Sequence, residues 1–485
     1  MLNCRLYFLQ RLYPLVILFT CCMILNDYSE ASTYYVAPSG NDGYTTVQAQ
    51  NPATPWQTIT KAANTMVAGD TVLIRQGTYI EQIELTTSGS SGLYITYQAY
   101  PGETATIDGS SISLPDYETG LFVVEDVNYI KVSGLTMMNA GPNMNNCGIY
   151  VDNANYIILE TNHTINTVSS GIGVWGSTNI IIDGNEVELA CNDGEQEDIT
   201  VAGTDTFEVK NNHVHSGGPG NNGGEGITIK DGSSNGQIFN NHVHDIPNGE
   251  RTCIYLDAWD KETYNLEVYQ NLLHNCCGGI SLASENGGTL HDVKIYNNII
   301  YDSYGSGLEI GNWGEPGVTS RPVQNVTFIN NTVYYCGYNG WGGGFGNENP
   351  DVTNIVVRNN IFSQNSEFQI ANESAASLTV DHNLIDGYRD YEFEIYGTDF
   401  VEDDPLFEST TLHDFHLQSN SPAINEGSAT DAPSDDYDGN ARPSGPEYDI
   451  GAYEFISTPV PALSFAAILV ILGFLSFALP RLKIH

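Results

Sequence analysis

Between Gly171 and Ile310 the chain repeats itself, and a repeat of this kind leaves few folds open. The segments GIGVW (171–175), DITVA (198–202), GITIK (226–230), CIYLD (253–257), GISLA (279–283) and GLEIG (307–311) place apolar residues at their second and fourth positions. The pairs are Ile172/Val174, Ile199/Val201, Ile227/Ile229, Ile254/Leu256, Ile280/Leu282 and Leu308/Ile310. Such alternation turns one face of a strand inward and the other outward. A second strand follows each rung and carries an Asn at 185, 212, 241, 271, 298 and 331, a period of 27 to 33 residues. A fixed period of this size signals a solenoid. The repeat has short strands, turn residues and no helical spacing. The expected fold is therefore an all-β parallel β-helix whose coils stack about 4.8 Å apart. The Asn column (Asn162, Asn185, Asn212, Asn241, Asn271, Asn298, Asn331, Asn360, Asn383) falls where the chain turns. Stacked amides there bond to one another and to turn backbone, so these residues read as structural.

The 485 residues suffice for one long solenoid with small appendages. Sixteen Lys+Arg against 59 Asp+Glu give a formal charge of −43, which argues against nucleic acid and anionic membrane surfaces as partners. Arg5 and Arg11 precede the apolar run Leu15–Leu25, and Ser29-Glu30-Ala31 offers a small-x-small cleavage site. Residues 1–31 therefore read as an export signal. At the other end, Ala462–Leu479 is an uncharged run followed by Arg481 and Lys483, long enough to span a bilayer. Thr458-Pro459-Val460-Pro461 precedes it. This three-part tail (456–485) resembles bacterial sorting tails of the PEP-CTERM kind. The resemblance implies an exported protein of the cell surface whose tail either is cut by a sorting enzyme, then a partner, or stays as a simple membrane anchor. Outside the signal lie Cys147, Cys191, Cys253, Cys276, Cys277 and Cys336. Their spacing shows neither a disulfide framework nor a zinc pattern, and Cys253 reads as a packed column residue.

Thr58–Met66 has helical spacing and is expected to cap the open end of the solenoid, whose strand edges would otherwise be exposed. The opening runs YYVAPSGNDG, PWQTITKAA, AGDTVLIRQGTY, YITYQAYPGE and IDG resemble those of secreted bacterial right-handed β-helix proteins, including pectate-lyase-like and chondroitinase-like polysaccharide lyases. The segment SPAINEGSATDAPSDDYDGNARPSGPEYDIGAYEF (421–455) resembles that of choice-of-anchor Q surface proteins. The implied layout is a cap with first coils over 32–100, a right-handed parallel β-helix over 101–385 and a closing segment over 386–455. Asp431–Asp438, with four Asp in eight residues, reads as a solvated acidic loop and less readily as a Ca²⁺ loop.

Outward positions of the rungs predict the functional face. The middle column is Gly173, Thr200, Thr228, Tyr255, Ser281 and Glu309; the fifth-position column is Trp175, Ala202, Lys230, Asp257, Ala283 and Gly311. Adjoining loops add Glu197, Asp198, Glu225 and Glu285. This register places Lys230 one coil from Asp257, as a reacting pair or a structural ion pair. Glu225-Gly-Ile-Thr-Ile-Lys230 resembles a segment of pectate-lyase-like enzymes. The resemblance implies Ca²⁺ at Glu225, with Glu197 and Asp198 as further ligands, and β-elimination from a uronate by a lysine base. The family's catalytic Lys would fall at Glu309, so the chain departs from that pattern. A glycoside hydrolase instead needs two carboxylates about 5 Å apart for retention, or roughly 6.5 to 9.5 Å for inversion. Glu225, Asp257, Glu285 and Glu309, on neighbouring coils, are candidates for that pair. A third reading is non-catalytic glycan binding or a structural coat, with Trp175, Tyr255, Trp259, Trp313 and Trp341 stacking on sugar rings. His213, His215, His242, His244 and His274 follow the Asn column and read as a stacked structural ladder, with a metal or acid–base role as the less favoured alternative.

Overall fold

The computed structural model describes residues 31–218, 223–246, 251–338, 341–374 and 376–457. The expected export signal and sorting tail lie outside these residues, apart from their inner edges. No helix among the described residues is long and apolar enough to cross a membrane.

The repeat folds into a parallel β-helix with three walls. Each coil contributes one strand to sheet II, then one to sheet I, then one to sheet III. One coil, for example, runs through Ile172–Trp175, Thr178–Asp183 and Glu186–Glu188. Sheets I and III have 13 strands each and sheet II has 11. The alternating apolar residues point inward as the rungs require, and Ile172, Val174, Ile227, Ile229, Ile280 and Leu282 are all 0% exposed. They belong to one continuous core from Tyr34 to Ile385. The rungs pair in the expected register, with Ile227 opposite Ile254 and Lys230 opposite Asp257.

The Asn column forms a ladder between sheets I and III. The backbone N–H of Asn212 donates to Asn241 Oδ1 at 3.0 Å, and Asn241 N–H donates to Asn271 Oδ1 at 3.0 Å. The Nδ2 of each also donates to the next Oδ1 and to a strand carbonyl, as Asn241 Nδ2 does to Val209 O at 2.9 Å. The pattern runs from Asn162 to Asn383. The residue before many of these positions is itself an Asn in the left-handed region, as at Asn211 (φ 55°) and Asn240 (φ 55°). Asn accepts that conformation more readily than most residues, because its short amide satisfies nearby backbone. Paired Asn residues thus make the turn that closes each coil.

At the N-terminal end, helix α1 (Thr46–Ala49) begins with a capping box from Thr45 and Gln48, and helix α2 (Ile59–Ala63) is capped by Thr58. The spacing anticipated α2, which is shorter than Thr58–Met66, and gave no sign of α1. Trp56, Ile59, Ala62 and Met66 bury themselves over the first coil.

Two local expectations are corrected. Cys253 and Cys276 form a disulfide: the ends of successive strands on sheets II and III meet in space though 23 residues apart, which spacing alone does not reveal. Asp431–Asp438 is not a freely solvated loop. Asp436 is 0% exposed and accepts from the backbone N–H groups of Asp438, Asn440 and Glu454. Asp438 pairs with His416, and Asp431 with Arg358. The segment around it doubles back along the flank of the solenoid. Asn330 Nδ2 donates to Asp449 O and Gly451 O at 3.0 Å. A second apolar cluster joins Phe415, Ile450 and Tyr453 to the outward Ile299 and Tyr301 of sheet III.

Candidate functional site

The outer face of sheet II carries the site. The middle column runs in register through Thr228, Tyr255, Ser281 and Glu309 to Gly346. Around it opens a cleft of about 520 Å³, lined by Glu225, Arg251, Tyr255, Ser281, Glu285, Glu309, Trp313 and Trp341. The two indoles flank the floor. Each lies against a glycine: a Cβ on Gly311 would meet Trp313 at 2.5 Å, and one on Gly305 would meet Trp341 at 2.7 Å. Absence of a side chain beneath each ring lets it lie close to the backbone while 39% and 43% of the residue stays exposed. Such partly exposed aromatic faces suit the apolar faces of sugar rings. A depression of similar volume on sheet I, about 540 Å³, is lined mainly by Tyr156, Ile181, Phe207 and side-chain amides and gathers no comparable set of carboxyls.

Glu309 sits at the bend of the cleft. Burial pushes its carboxyl up to about 8, reinforced by Glu348 and Glu373. A smaller pocket of about 120 Å³ continues past it between Trp341, Glu348, Glu367 and Glu373. Glu309 is therefore shared by two cavities and is protonated near neutral pH. Glu285 accepts a hydrogen bond from the Tyr255 hydroxyl, and burial holds that phenol well above its ordinary value, so it remains a donor. Glu225 is raised to about 7 by burial and by Glu197, against the opposing pull of Arg251 and Lys230.

Lys230 and Asp257 do not pair, although they are opposite in register. Lys230 Nζ turns back one coil to Glu197 Oε1 at 2.8 Å and Gln196 Oε1 at 3.1 Å. Burial alone would lower this ammonium, but Glu197 outweighs it and the value is raised. Asp257 accepts from the backbone N–H groups of Trp259 at 2.9 Å and Glu285 at 3.2 Å. Burial, with Glu285 beside it, pushes it up to about 7. It shapes the loop that carries Glu285 and does not line the cleft. Trp259 lies in that turn with φ 39°. Trp175 is three coils away, packed on Tyr150 at 5.2 Å.

Of the carboxylates expected to hold Ca²⁺, one is already engaged. Glu197 is occupied by the Lys230 ammonium and by Thr200 Oγ1 at 2.7 Å, so a cation already stands where a metal would bind. Asp198 is 0% exposed, and neither of its carboxylate oxygens has a hydrogen-bond partner. Among the described residues, the groups of three ligand atoms within 4.8 Å of one another all lie elsewhere, on sheet III.

Of the residues anticipated from sequence, Glu225, Glu285, Glu309, Tyr255, Trp313 and Trp341 line the cleft. Lys230, Asp257, Glu197 and Asp198 stand outside its lining. Arg251, Glu348, Glu367 and Glu373 were not anticipated. Two of these carried a readable signal: Glu348 and Glu373 each follow a paired rung, Phe345–Asn347 and Ile370–Asn372, so extending the repeat by two coils would have found them.

A profile of the "Pel9A-like, right handed beta helix region" matches residues 34–371. The chain belongs to the Pel9A-like right-handed β-helix family. Among curated proteins, the uncharacterized protein YwoF of Bacillus subtilis (strain 168) is 28% identical over 455 residues, covering 82% of this chain and 93% of YwoF. Pectate lyase PEL9 of Emericella nidulans is 30% identical over 166 residues, 31% of this chain and 38% of PEL9. Among solved structures, pectate lyase Pel9A superposes with a TM-score of 0.54 at 16% identity, over 87% of this chain and 96% of that one. The complex of XylC with xylose gives 0.52 at 13% identity, over 88% and 99%. At these identities the structural likenesses bear on the fold. They agree with the Pel9A-like family in making it a pectate-lyase-like parallel β-helix.

Proposed function

We propose that this protein acts on a polysaccharide in the sheet II cleft as a glycoside hydrolase. Glu309 is the proton donor and Glu285 the second carboxyl. The observation that carries this reading is the unequal environment of the two carboxyls. Glu309 is buried and raised to about 8, whereas Glu285 accepts from the Tyr255 phenol. Glycosidases need such a division between an acid and a carboxylate. Adjacent coils are about 4.8 Å apart, so groups one or two coils apart fall within reach of the separations that retention and inversion require. No lysine lines the cleft among the described residues, and Lys230, charged and bound to Glu197, is a poor proton acceptor.

Arg251 in the cleft beside Glu225 supports a second reading, β-elimination from a uronate, which kinship with pectate lyase PEL9 also favours. In that reading Arg251 neutralises the substrate carboxylate. Non-catalytic glycan binding is the outcome if neither chemistry is found. The test is a panel of neutral glycans and polyuronates, read for reducing ends and for the ultraviolet absorbance of unsaturated uronates together. Reducing ends without absorbance, abolished in Glu309→Gln, support the hydrolase. Absorbing product, lost in Arg251→Ala, overturns it in favour of the lyase. Binding without turnover overturns both.

The same reading includes export and anchoring at the cell surface. It rests on the charge and hydropathy patterns of residues 1–31 and 456–485. N-terminal sequencing of the native protein and its partition between membrane and medium test it: a mature start near Ser32 supports export, and an intact Met1 refutes it.

A further inference from the structure

The outer face of sheet III carries a second cluster, on a different wall from the cleft. Strands Glu186–Glu188, His213–His215 and His242–Ile246 turn Val187, Val214 and Val243 into the core. Their flanking residues therefore point outward. In register, Glu186, His213 and His242 make one column, and Glu188, His215 and His244 make the next. His163 precedes the first column and His274 extends the second. Beyond His274 the face is covered by the closing segment, whose His413 stacks on Tyr301.

We propose that this strip binds a divalent transition metal, with zinc the ion that its donors suit best, and that His213, His242 and His244 are the central ligands. One ligand atom from each of the three lies within 4.8 Å of the others. His213 Nε2 and His244 Nε2 are hydrogen-bonded at 2.8 Å, and His242 Nε2 and His274 Nε2 at 2.9 Å. With Zn–N bonds of about 2.0–2.1 Å, tetrahedral ligands stand about 3.3 Å apart, so the His213–His244 pair need part by only about half an ångström for an ion to replace the shared proton, while His242 closes in from within 4.8 Å. Imidazole donors select zinc, copper or nickel over calcium and magnesium.

Two further features agree. His244 Nδ1 lies 2.9 Å from Asp245 Oδ2, which fixes the tautomer and leaves its Nε2 lone pair for the ion, as carboxylates behind metal-bound histidines do. Finally, the triads Glu186/His213/His215 and His163/Glu186/Glu188 are equally close-set and supply negative charge beside the imidazoles. The His213 side chain is 43% exposed, so an ion reaches the strip from solvent. Once bound, it clamps two adjacent coils.

The full-length protein, stripped with EDTA and dialysed, is titrated with Zn²⁺ by calorimetry, and its metal content is measured by elemental analysis. Binding saturates in the micromolar range or tighter, and thermal unfolding shifts upward with Zn²⁺. His213→Gln/His242→Gln weakens binding by more than about 10-fold, and Asp245→Asn by about 10-fold, as a lost outer partner does. His291→Gln, on sheet I, leaves it unchanged. Co²⁺ substituted into the site gives the visible spectrum of a nitrogen-ligated ion. Zinc that fails to bind overturns the proposal, as does zinc that binds equally well to the folded His213→Gln/His242→Gln variant.

Discussion

Replacing Lys230 with methionine separates a structural role from a chemical one. Lys230 and Glu197 are 2.8 Å apart with side chains only 18% and 8% exposed, so their attraction is little screened by solvent. Removing the ammonium alone strands a buried carboxylate, which costs about 3–5 kcal/mol. The double variant Glu197→Gln/Lys230→Met removes both charges and recovers most of that loss, since neutral side chains of similar size often replace a buried pair without penalty. A double-mutant cycle in urea, followed by far-ultraviolet circular dichroism, measures the coupling. Because coils couple chiefly to their neighbours, the single variant melts earliest around the central coils. The pair acts across the neutral range. The folded lysine value is raised, so its contribution is complete below the unfolded value and is lost only as pH rises through the folded one. A Lys230→Met protein that keeps its midpoint but loses turnover, with no recovery in the double variant, would refute the structural role and make Lys230 a participant in the chemistry.

Glu309→Gln abolishes turnover and flattens the dependence of stability on pH: in the native protein this carboxyl titrates near 8 instead of 4.5, so the fold binds the extra proton and stability falls as pH rises between those values. Urea midpoints of both proteins across that range check this. Trp313→Ala and Trp341→Ala raise KM by about 3- to 10-fold with little change in kcat, given about 0.5–1.5 kcal/mol for an aromatic stacking contact. Cys253→Ser/Cys276→Ser lowers stability by about 3 kcal/mol, the value for a closed loop of this length, and reduction of the native protein does the same. Asn241→Ala orphans the backbone N–H of Asn212, 3.0 Å from Asn241 Oδ1, and takes one of two acceptors from Asn212 Nδ2 and the Nδ2 donor from the Val209 carbonyl; at about 1–3 kcal/mol per buried orphan, a measured loss below 1 kcal/mol would show that the ladder is incidental.

The coil register was legible because a two-residue alternation and a recurrent Asn report strand and turn directly. Glu309 and Tyr255 were legible for the same reason, as outward positions of known rungs, and Glu285 as a residue of the loop that adjoins one. The register did not say where long side chains reach. Lys230 has four methylenes with which to choose between Asp257 on one neighbouring coil and Glu197 before the other, and it takes the carboxylate backed by Gln196 and Thr200. The Cys253–Cys276 bond was hidden for a related reason: it joins two walls across a corner, a proximity that no single-strand pattern encodes. The closing segment was recognised by its wording, yet its path along the flank depends on amides such as Asn330 and Asn359 that face outward beside the ladder.

The Asn ladder makes the coil a unit of length. Its bonds repeat identically from one coil to the next, so nothing in the wall records absolute position. A chain built this way tolerates the gain or loss of a whole coil, because every bond on either side of the join has a partner of the same kind waiting. The acid, the indoles and the histidine strip are then fixtures on a ruler graduated in steps of about 4.8 Å. Lengthening the cleft, or moving a fixture along it, is arithmetic on whole coils and requires no new fold.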